Sequence, residues 1–240
     1  MLRFALMLAL AAKAVAAQPM TREAVARAIA AGNADHPADL SGRDLSGLDL
    51  TGLNLSRVQL LNSTLVGTKF THDTMFAANL SGAHAHGANF DGAILDVGVF
   101  RGTDLSQASF RGASVFAVIM IGADLSGADL NDARLIGNLS DAKLAGATLV
   151  DLKGGADMRN QPMGLMRTDL TGADLTGADL TGANLQHARL VRTNFTNTTL
   201  THADVTNADV NSAIFRGARG RDTMVGWNKT LNADQAILDH

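Results

Sequence analysis

The stretch Thr168 to Leu185, TDLTGADLTGADLTGANL, decides the fold. It repeats one five-residue phrase, and no ordinary element has that period. On an α-helix a step of five advances about 140°, so Leu170, Leu175, Leu180 and Leu185 would wind around the axis and never share a face. On a straight strand an odd step sends successive leucines to opposite sides of the sheet. The pattern works if the chain turns a corner once per phrase, so that each short side points its central residue at a common axis.

Working outward, the same phrase fills most of the chain. From Leu40 a large apolar residue returns at nearly every fifth position as far as Leu135, with Ala85 as the small exception. One residue is then lost, so that Leu139, Leu144 and Leu149 continue out of phase. The stretch from Val150 to Gly164 breaks the pattern, and a second array runs from Leu165 to Phe215. Two positions after the central residue comes Gly (Gly42, Gly47, Gly82, Gly172) or often Asn, His or Asp, the residues that tolerate turn conformations. Two positions before it comes a small residue, usually Ala (Ala78, Ala88, Ala123, Ala173), suited to a crowded inward position. Self-similarity of this kind marks a solenoid.

The phrase Ala-(Asp/Asn)-Leu-(Ser/Thr)-Gly, at Ala123 to Gly127, Ala173 to Gly177 and Ala178 to Gly182, resembles the pentapeptide-repeat family over roughly Ala38 to Arg219. The resemblance implies an all-β fold, a right-handed quadrilateral parallel β-helix with four phrases per coil. Residues twenty apart would then stack as neighbouring parallel strands about 4.8 Å apart, giving a rod on the order of 40 Å long. The ends of such a stack need caps. Thr21 to Gly32 reads as a capping helix with Thr21 as N-cap, Gly32 as stop, and Val25 and Ile29 on one apolar side. Asn232 to Asp239 reads as a short closing helix, with Trp227, Leu231, Ile237 and Leu238 available to cover the last coil.

The start of the chain has the pattern of an export signal: a basic lead at Arg3, an apolar run from Phe4 to Ala12, and small residues up to Ala17. Cleavage there would take the formal charge from −3 to −5, because Arg3 and Lys13 would leave. The expected organisation is therefore a signal peptide over 1–17, a capping helix and linker over 18–37, and a first array over 38–149. An irregular loop over 150–164, a second array over 165–219 and a C-terminal cap over 220–240 complete it. The expected location is periplasmic or secreted, with no membrane span after signal removal.

Composition narrows the function classes. There is no cysteine, which removes thiol catalysis, thiolate metal sites and disulfides together. The charge of −3 carries no basic block, so nothing steers the chain to nucleic acid or an anionic surface. None of the motifs for nucleophilic hydrolysis, zinc hydrolysis, phosphate binding or dinucleotide binding occurs. No catalytic residue, cofactor, metal site or small-molecule substrate is expected. The Asp residues before the central leucines read as parts of the repeat phrase that bond to the turn. His84 and His86 flank Ala85 and point outward, with Asp104 one coil away as the nearest further ligand, and the set reads as solvated side chains rather than a metal site.

The informative departures are apolar. Phe76, Phe116 and Ile136 occupy the slot after a central residue, where Ser or Thr is usual, and the twenty-residue rule puts them on one face. Val97, Val99 and Ile119 fall at the adjoining corner, with Ile94 and Ile121 nearby. Together they form an apolar stripe that calls for a covering, either by the methionine-rich stretch Asp157 to Met166 or by another chain.

Three functions compete. The first is a non-enzymatic exported module that presents the stripe or an end cap to a protein partner or a second copy. The second follows from the resemblance, since some pentapeptide-repeat proteins are dimeric rods that mimic DNA and bind type II topoisomerase. That mechanism needs a cytoplasmic rod with a strongly negative face, whereas Arg101, Arg111, Arg189, Arg192 and Arg216 dilute the acid here. The third is a β-helix enzyme acting on polysaccharide, for which only Val150 to Gly164 is long enough to build a cleft. That stretch holds Asp151, Asp157 and Arg159 but no matched acid–base pair.

Overall fold

A computed structural model of the chain describes residues 20–156 and 166–239. The signal-like residues 1–17 and the core of the expected irregular loop lie outside the described residues. The chain is held together by four ladders of parallel bridges, in which the residue before each central position pairs with its equivalent one coil later. Asp39 bridges Gln59, Asp44 bridges Thr64, Asp49 bridges Lys69 and Asn54 bridges Thr74, each pair twenty residues apart. Each ladder defines one side of the coil. The first side stacks Leu40, Leu60, Leu80, Phe100 and Met120; the fourth stacks Leu55, Met75, Leu95, Val115 and Leu135. All are buried to within a few per cent.

Each five-residue phrase has a physical division of labour. The central N–H and the N–H two residues later both bond to the next coil, as in Leu45 N–H to the Thr64 carbonyl (2.8 Å) and Gly47 N–H to the Val66 carbonyl (2.9 Å). The corner closes by Leu48 N–H donating to the Leu45 carbonyl (3.1 Å), a turn whose third residue, Gly47, has φ +67°. Where that residue is Asn, His or Asp, as at Asn62, His72 and Asp132, φ is also positive. The Asp before the central residue accepts the backbone N–H two positions on: Ser46 to Asp44 and Thr176 to Asp174, each at 3.0 Å. These carboxylates are therefore turn-forming acceptors. Inward Ala, together with the stacked rings Phe70, Phe90 and Phe110 at 5.0 and 4.8 Å, fills the remaining interior. Burying each such large side chain contributes roughly 1.5–3 kcal/mol against the entropy of ordering the coil.

The lost residue has a definite place. Ser114 bridges Arg134 at twenty residues, but Ile119 pairs with Asn138 at nineteen. The corner residue Ala117, with φ 56°, has no counterpart in the next coil. Here β1 (Ser114–Ile119), which keeps its corner residue, pairs in parallel with β2 (Arg134–Asn138), which lacks one, with a bulge between Phe116 and Val118. Gly137 is required here, because a Cβ would lie 2.4 Å from the Val118 carbonyl oxygen.

The two arrays form one uninterrupted stack. Asn138 bridges Asp169, Lys143 bridges Asp174, Thr148 bridges Asp179 and Lys153 bridges Asn184, each pair thirty-one residues apart. The offset is one coil of twenty plus an excursion of eleven. The regular coil also outlasts the expected boundary at Val150: Leu152 is buried, and Ala156 N–H bonds to the Gln186 carbonyl at 3.1 Å. The excursion leaves after the fourth side and returns at Thr168, at the head of the first.

The ends differ from each other. The amino-terminal cap is α1 (Arg22–Ala31), with the Thr21 hydroxyl accepting from Ala24 N–H and Val25 buried against the first coil. Arg22 grips that coil through the carbonyls of Asp49 (2.6 Å) and Thr51 (2.7 Å). The expected closing helix over Asn232 to Asp239 is instead part of a widened last coil. Val225, Leu231 and Ile237 bridge Asp204, Asp209 and Ile214 across twenty-one, twenty-two and twenty-three residues. Three 3-10 turns, Arg221–Thr223, Trp227–Lys229 and Ala233–Gln235, take up the added length. Trp227 stands edge-on to Phe215 at 5.3 Å, whereas Leu231 is 55% exposed, because a bridging position faces outward.

Candidate functional site

The apolar stripe lies along the edge between the fourth and first sides. Phe76, Asp96, Phe116 and Ile136 succeed one another after the central residues of the fourth side, and Ala77, Val97 and Ala117 take the corner. Val99 and Ile119 bridge each other at the start of the first side, and Ile121 follows. Phe76 is 42% exposed, Ile94 43% and Val97 45%. Phe116, Val99, Ile119 and Ile121 are half-buried.

Ile136 does not belong to the exposed set. It is only 3% exposed, since the missing corner residue draws β2 straight and turns this side chain into the packing. Phe116 is partly shielded too, with the Arg134 guanidinium 4.0 Å from its ring centre. The exposed centre of the stripe is therefore Phe76, Ile94 and Val97, and its far end is closed by the chain itself.

Two shallow clefts continue this edge. At the capped end, Ile29, Pro37, Ala38, Ser56, Arg57 and Val58 line a recess between α1 and the first coil. At the other end, Ala117, Val118, Gly137, Met166, Arg167 and Asp169 line a recess where the excursion rejoins the stack. The stripe therefore runs between the two places where the regular coil is perturbed.

Charge divides the rod around this edge. Over the second to fifth coils the outward positions of the edge and its flanking sides carry Arg101 and Arg134 against Asp96. Asp96 is already engaged, accepting from the Ser114 hydroxyl (2.7 Å) and Phe116 N–H (3.0 Å). The opposite two sides carry Asp91, Asp104, Asp124, Asp129 and Asp132 against Lys69 and Arg111. Part of that acid is paired, Arg111 with Asp129 at 2.8 Å and Lys143 with Asp124 at 3.5 Å.

His84 and His86 are exposed, a ring nitrogen of His86 lies 3.0 Å from the Ser106 hydroxyl, and no group of three or more potential ligands assembles among the described residues. No helix among the described residues is long and apolar enough to cross a membrane.

One residue escaped the sequence reading. Asp73 stands two before the central Met75, an inward position that carries Ala, Thr or Ser in most coils, and it is 1% exposed. Burial pushes its carboxyl up to about 6, against the lowering effect of the Gly52 and Leu53 N–H groups and of Arg22. The signal was in the sequence, as the one acid in the inward column.

Comparison with known proteins agrees with this architecture. The family model "Pentapeptide repeats" matches eight copies, over residues 38–71, 75–112, 99–137, 165–186 and 178–217. Among solved structures, trypsin-treated QnrB1, a plasmid-mediated fluoroquinolone resistance protein, is similar in fold at 20% identity and a TM-score of 0.55. That similarity covers 82% of this chain and 89% of that one. HetL is a pentapeptide repeat protein involved in heterocyst differentiation regulation in the cyanobacterium Nostoc sp. strain PCC 7120. It is 29% identical over 83% of this chain and 86% of its own, with a TM-score of 0.38. No curated protein matches the sequence.

Proposed function

Because the chain belongs to the pentapeptide-repeat family, we propose that it is a non-enzymatic, right-handed quadrilateral rod that binds another protein along the edge through Phe76, Ile94 and Val97. The observation that carries the reading is the exposure of these three large apolar side chains side by side on coils whose outward positions are mostly polar; the other exposed large apolar residues lie on the second side (Val66) or in the widened last coil (Val225, Leu231 and Ile237). A stiff backbone with every coil bonded to the next presents such a surface with little ordering cost on binding. The arginines beside the edge favour a partner with carboxylates flanking its apolar contact.

The signal-like start supports an exported rod, acting in the periplasm or outside the cell. DNA mimicry would need a continuous acidic face, and the pairing of Asp124 and Asp129 with Lys143 and Arg111 weakens the most acidic sides. Polysaccharide hydrolysis would need two facing carboxyl groups in a cleft, and neither recess on the edge is lined by such a pair.

The test places a photo-crosslinking amino acid at position 97 of the full-length protein in its native host. A discrete crosslinked species is expected, absent when Phe76→Asp is added, with the thermal unfolding midpoint of the purified rod unchanged. Crosslinking that is indifferent to Phe76→Asp would refute the edge as the binding surface. Mass spectrometry of the mature amino terminus tests export; an intact Met1 in cytosol would revive the DNA-mimic reading.

A further inference from the structure

The inward column has a chemical rule that Asp73 breaks. Where the column carries Thr, the hydroxyl donates to the central carbonyl of the preceding coil: Thr68 to Leu45 (2.9 Å), Thr103 to Leu80, Thr193 to Leu170 and Thr198 to Leu175 (each 2.8 Å). The spacing is twenty-three residues in these four, Thr168 after the excursion donates instead to the Leu135 and Gly154 carbonyls (each 2.7 Å), and for Asp73 the twenty-three-residue register falls on the Leu50 carbonyl. A carboxylate has no hydrogen to donate there, whereas a carboxylic acid has one.

The seam around Asp73 is altered to match. At neighbouring corners the glycine N–H bonds to the next coil's backbone, Gly42 to Leu61 (2.8 Å) and Gly47 to Val66 (2.9 Å). Gly52 N–H instead donates to Asp73 Oδ1 at 2.5 Å, with φ opened to +84° against +67° at Gly42 and Gly47. Asp73 Oδ2 is buried without a partner. An unpartnered buried carboxylate oxygen costs more than an unpartnered hydroxyl, and a proton is the smallest group that resolves it.

The charged groups facing this carboxyl come from three directions. From α1, Arg22 reaches over the corner to the carbonyls of Asp49 and Thr51. From the first coil, Asp49 opposes ionisation and is itself paired with Lys69 of the second coil at 3.8 Å. Along the chain, His72 turns its ring toward Gly92, in the coil beyond. Glu23, next to Arg22, interacts with Thr21 at its own helix start.

We propose that Asp73 is a proton-operated latch at the capped end of the rod. With the carboxyl neutral, its hydrogen goes to the Leu50 carbonyl and the seam between the first and second coils is closed. When the proton leaves, the buried charge favours states in which the Asp49 to Leu53 corner parts and water reaches the carboxylate. Arg22 holds α1 to that same corner, so the cap loosens with it. Acid thus closes the amino-terminal end of the rod, and neutral pH frees it to open.

Hydrogen-exchange protection factors, corrected for the intrinsic effect of pH, test the latch on the full-length protein at pH 5 and pH 7. The wild type is expected to lose protection over residues 22–31 and 48–55 on going to pH 7. With the carboxyl at about 6 in the closed rod and 3.8 when exposed, the loss between these two pH values is bounded at about tenfold, while residues 205–219 stay unchanged. Asp73→Asn and Asp73→Thr, both neutral donors, are expected to abolish the pH effect. Should Asp73→Asn fail to fold, Asp73→Thr carries the test, because this column accepts Thr elsewhere. Equal protection of the wild type at both pH values, or a pH effect that survives in Asp73→Thr, overturns the proposal.

Discussion

The Arg134 guanidinium lies 4.0 Å above the ring of Phe116, beside the corner where the coil is one residue short. The pair separates two kinds of apolar residue in the stripe, those held by the rod and those it leaves exposed. Phe116→Asp places a charge under Arg134 and among half-buried neighbours, and should cost about 1–3 kcal/mol of stability. Arg134→Ala removes the stacking cation and should cost about 0.5–1 kcal/mol. Val97→Asp, at an exposed corner, should stay within about 0.5 kcal/mol. Chemical denaturation of the three variants checks the order; equal losses would mean that Val97 is covered.

Asp73 gives the stability a pH dependence of unusual sign for an acid. Its folded value is about 6 against a reference of 3.8, so the folded rod holds the proton more tightly than the unfolded chain. Its contribution is fully present below about pH 4 and is lost as pH rises to about 6. The loss amounts to about 3 kcal/mol as an upper bound. Asp39, Asp44 and Asp49 have the opposite sign: side-chain bonds from Ser41, Ser46 and Thr51 hold their carboxyls below the usual value, so acidification removes what they add. Asp73→Thr should therefore raise the melting temperature at pH 7 by several degrees and give no gain at pH 4. A gain of equal size at both pH values would show that packing, not charge, drives it.

Gly137 and Gly47 should respond in opposite ways to substitution. Gly137→Ala drives a methyl group into the Val118 carbonyl, 2.4 Å from the ideal Cβ position, and should cost more than about 2 kcal/mol. Gly47 has φ +67° but nothing within 4 Å of an added Cβ, and Asn already holds the equivalent corner at Asn62, Asn197 and Asn207. Gly47→Asn should cost less than about 1 kcal/mol. Thermal melts of the two variants decide whether sterics or backbone conformation limits each corner.

The thirty-one-residue offset between Asn138 and Asp169 makes the excursion removable. Deleting residues 156–166 would restore a coil of twenty and leave the ladders on both sides in register. The shortened rod should fold with the same circular-dichroism spectrum and a melting temperature within a few degrees, since closing a shorter loop changes the entropy only slightly. A collapse of cooperativity would show that the excursion organises the stack.

Much of the rod was legible in the chain. Leu170, Leu175 and Leu180 announced a corner every five residues, and Thr21 with Gly32 marked the ends of α1. The closing helix was misread because Ala233 to Leu238 has the composition of a helix, while the preceding coil offers three bridging positions that hold Val225, Leu231 and Ile237 extended. Ile136 keeps the twenty-residue register with Phe116, and only its exposure was misjudged, because the corner residue that would follow it is deleted.

The sequence by itself determined the repeat, the inward column and the residues that depart from the phrase, because a five-residue period admits few regular backbones. Only the tertiary structure decided which departures face solvent. Exposure depends on what the neighbouring coils do: a missing corner buries Ile136, a guanidinium from the next coil shields Phe116, and Val97 is left open. The same holds for Asp73. Its chemistry comes from burial between coils, where its Gly52 N–H partner lies twenty-one residues away and only the stacking of coils brings the two together.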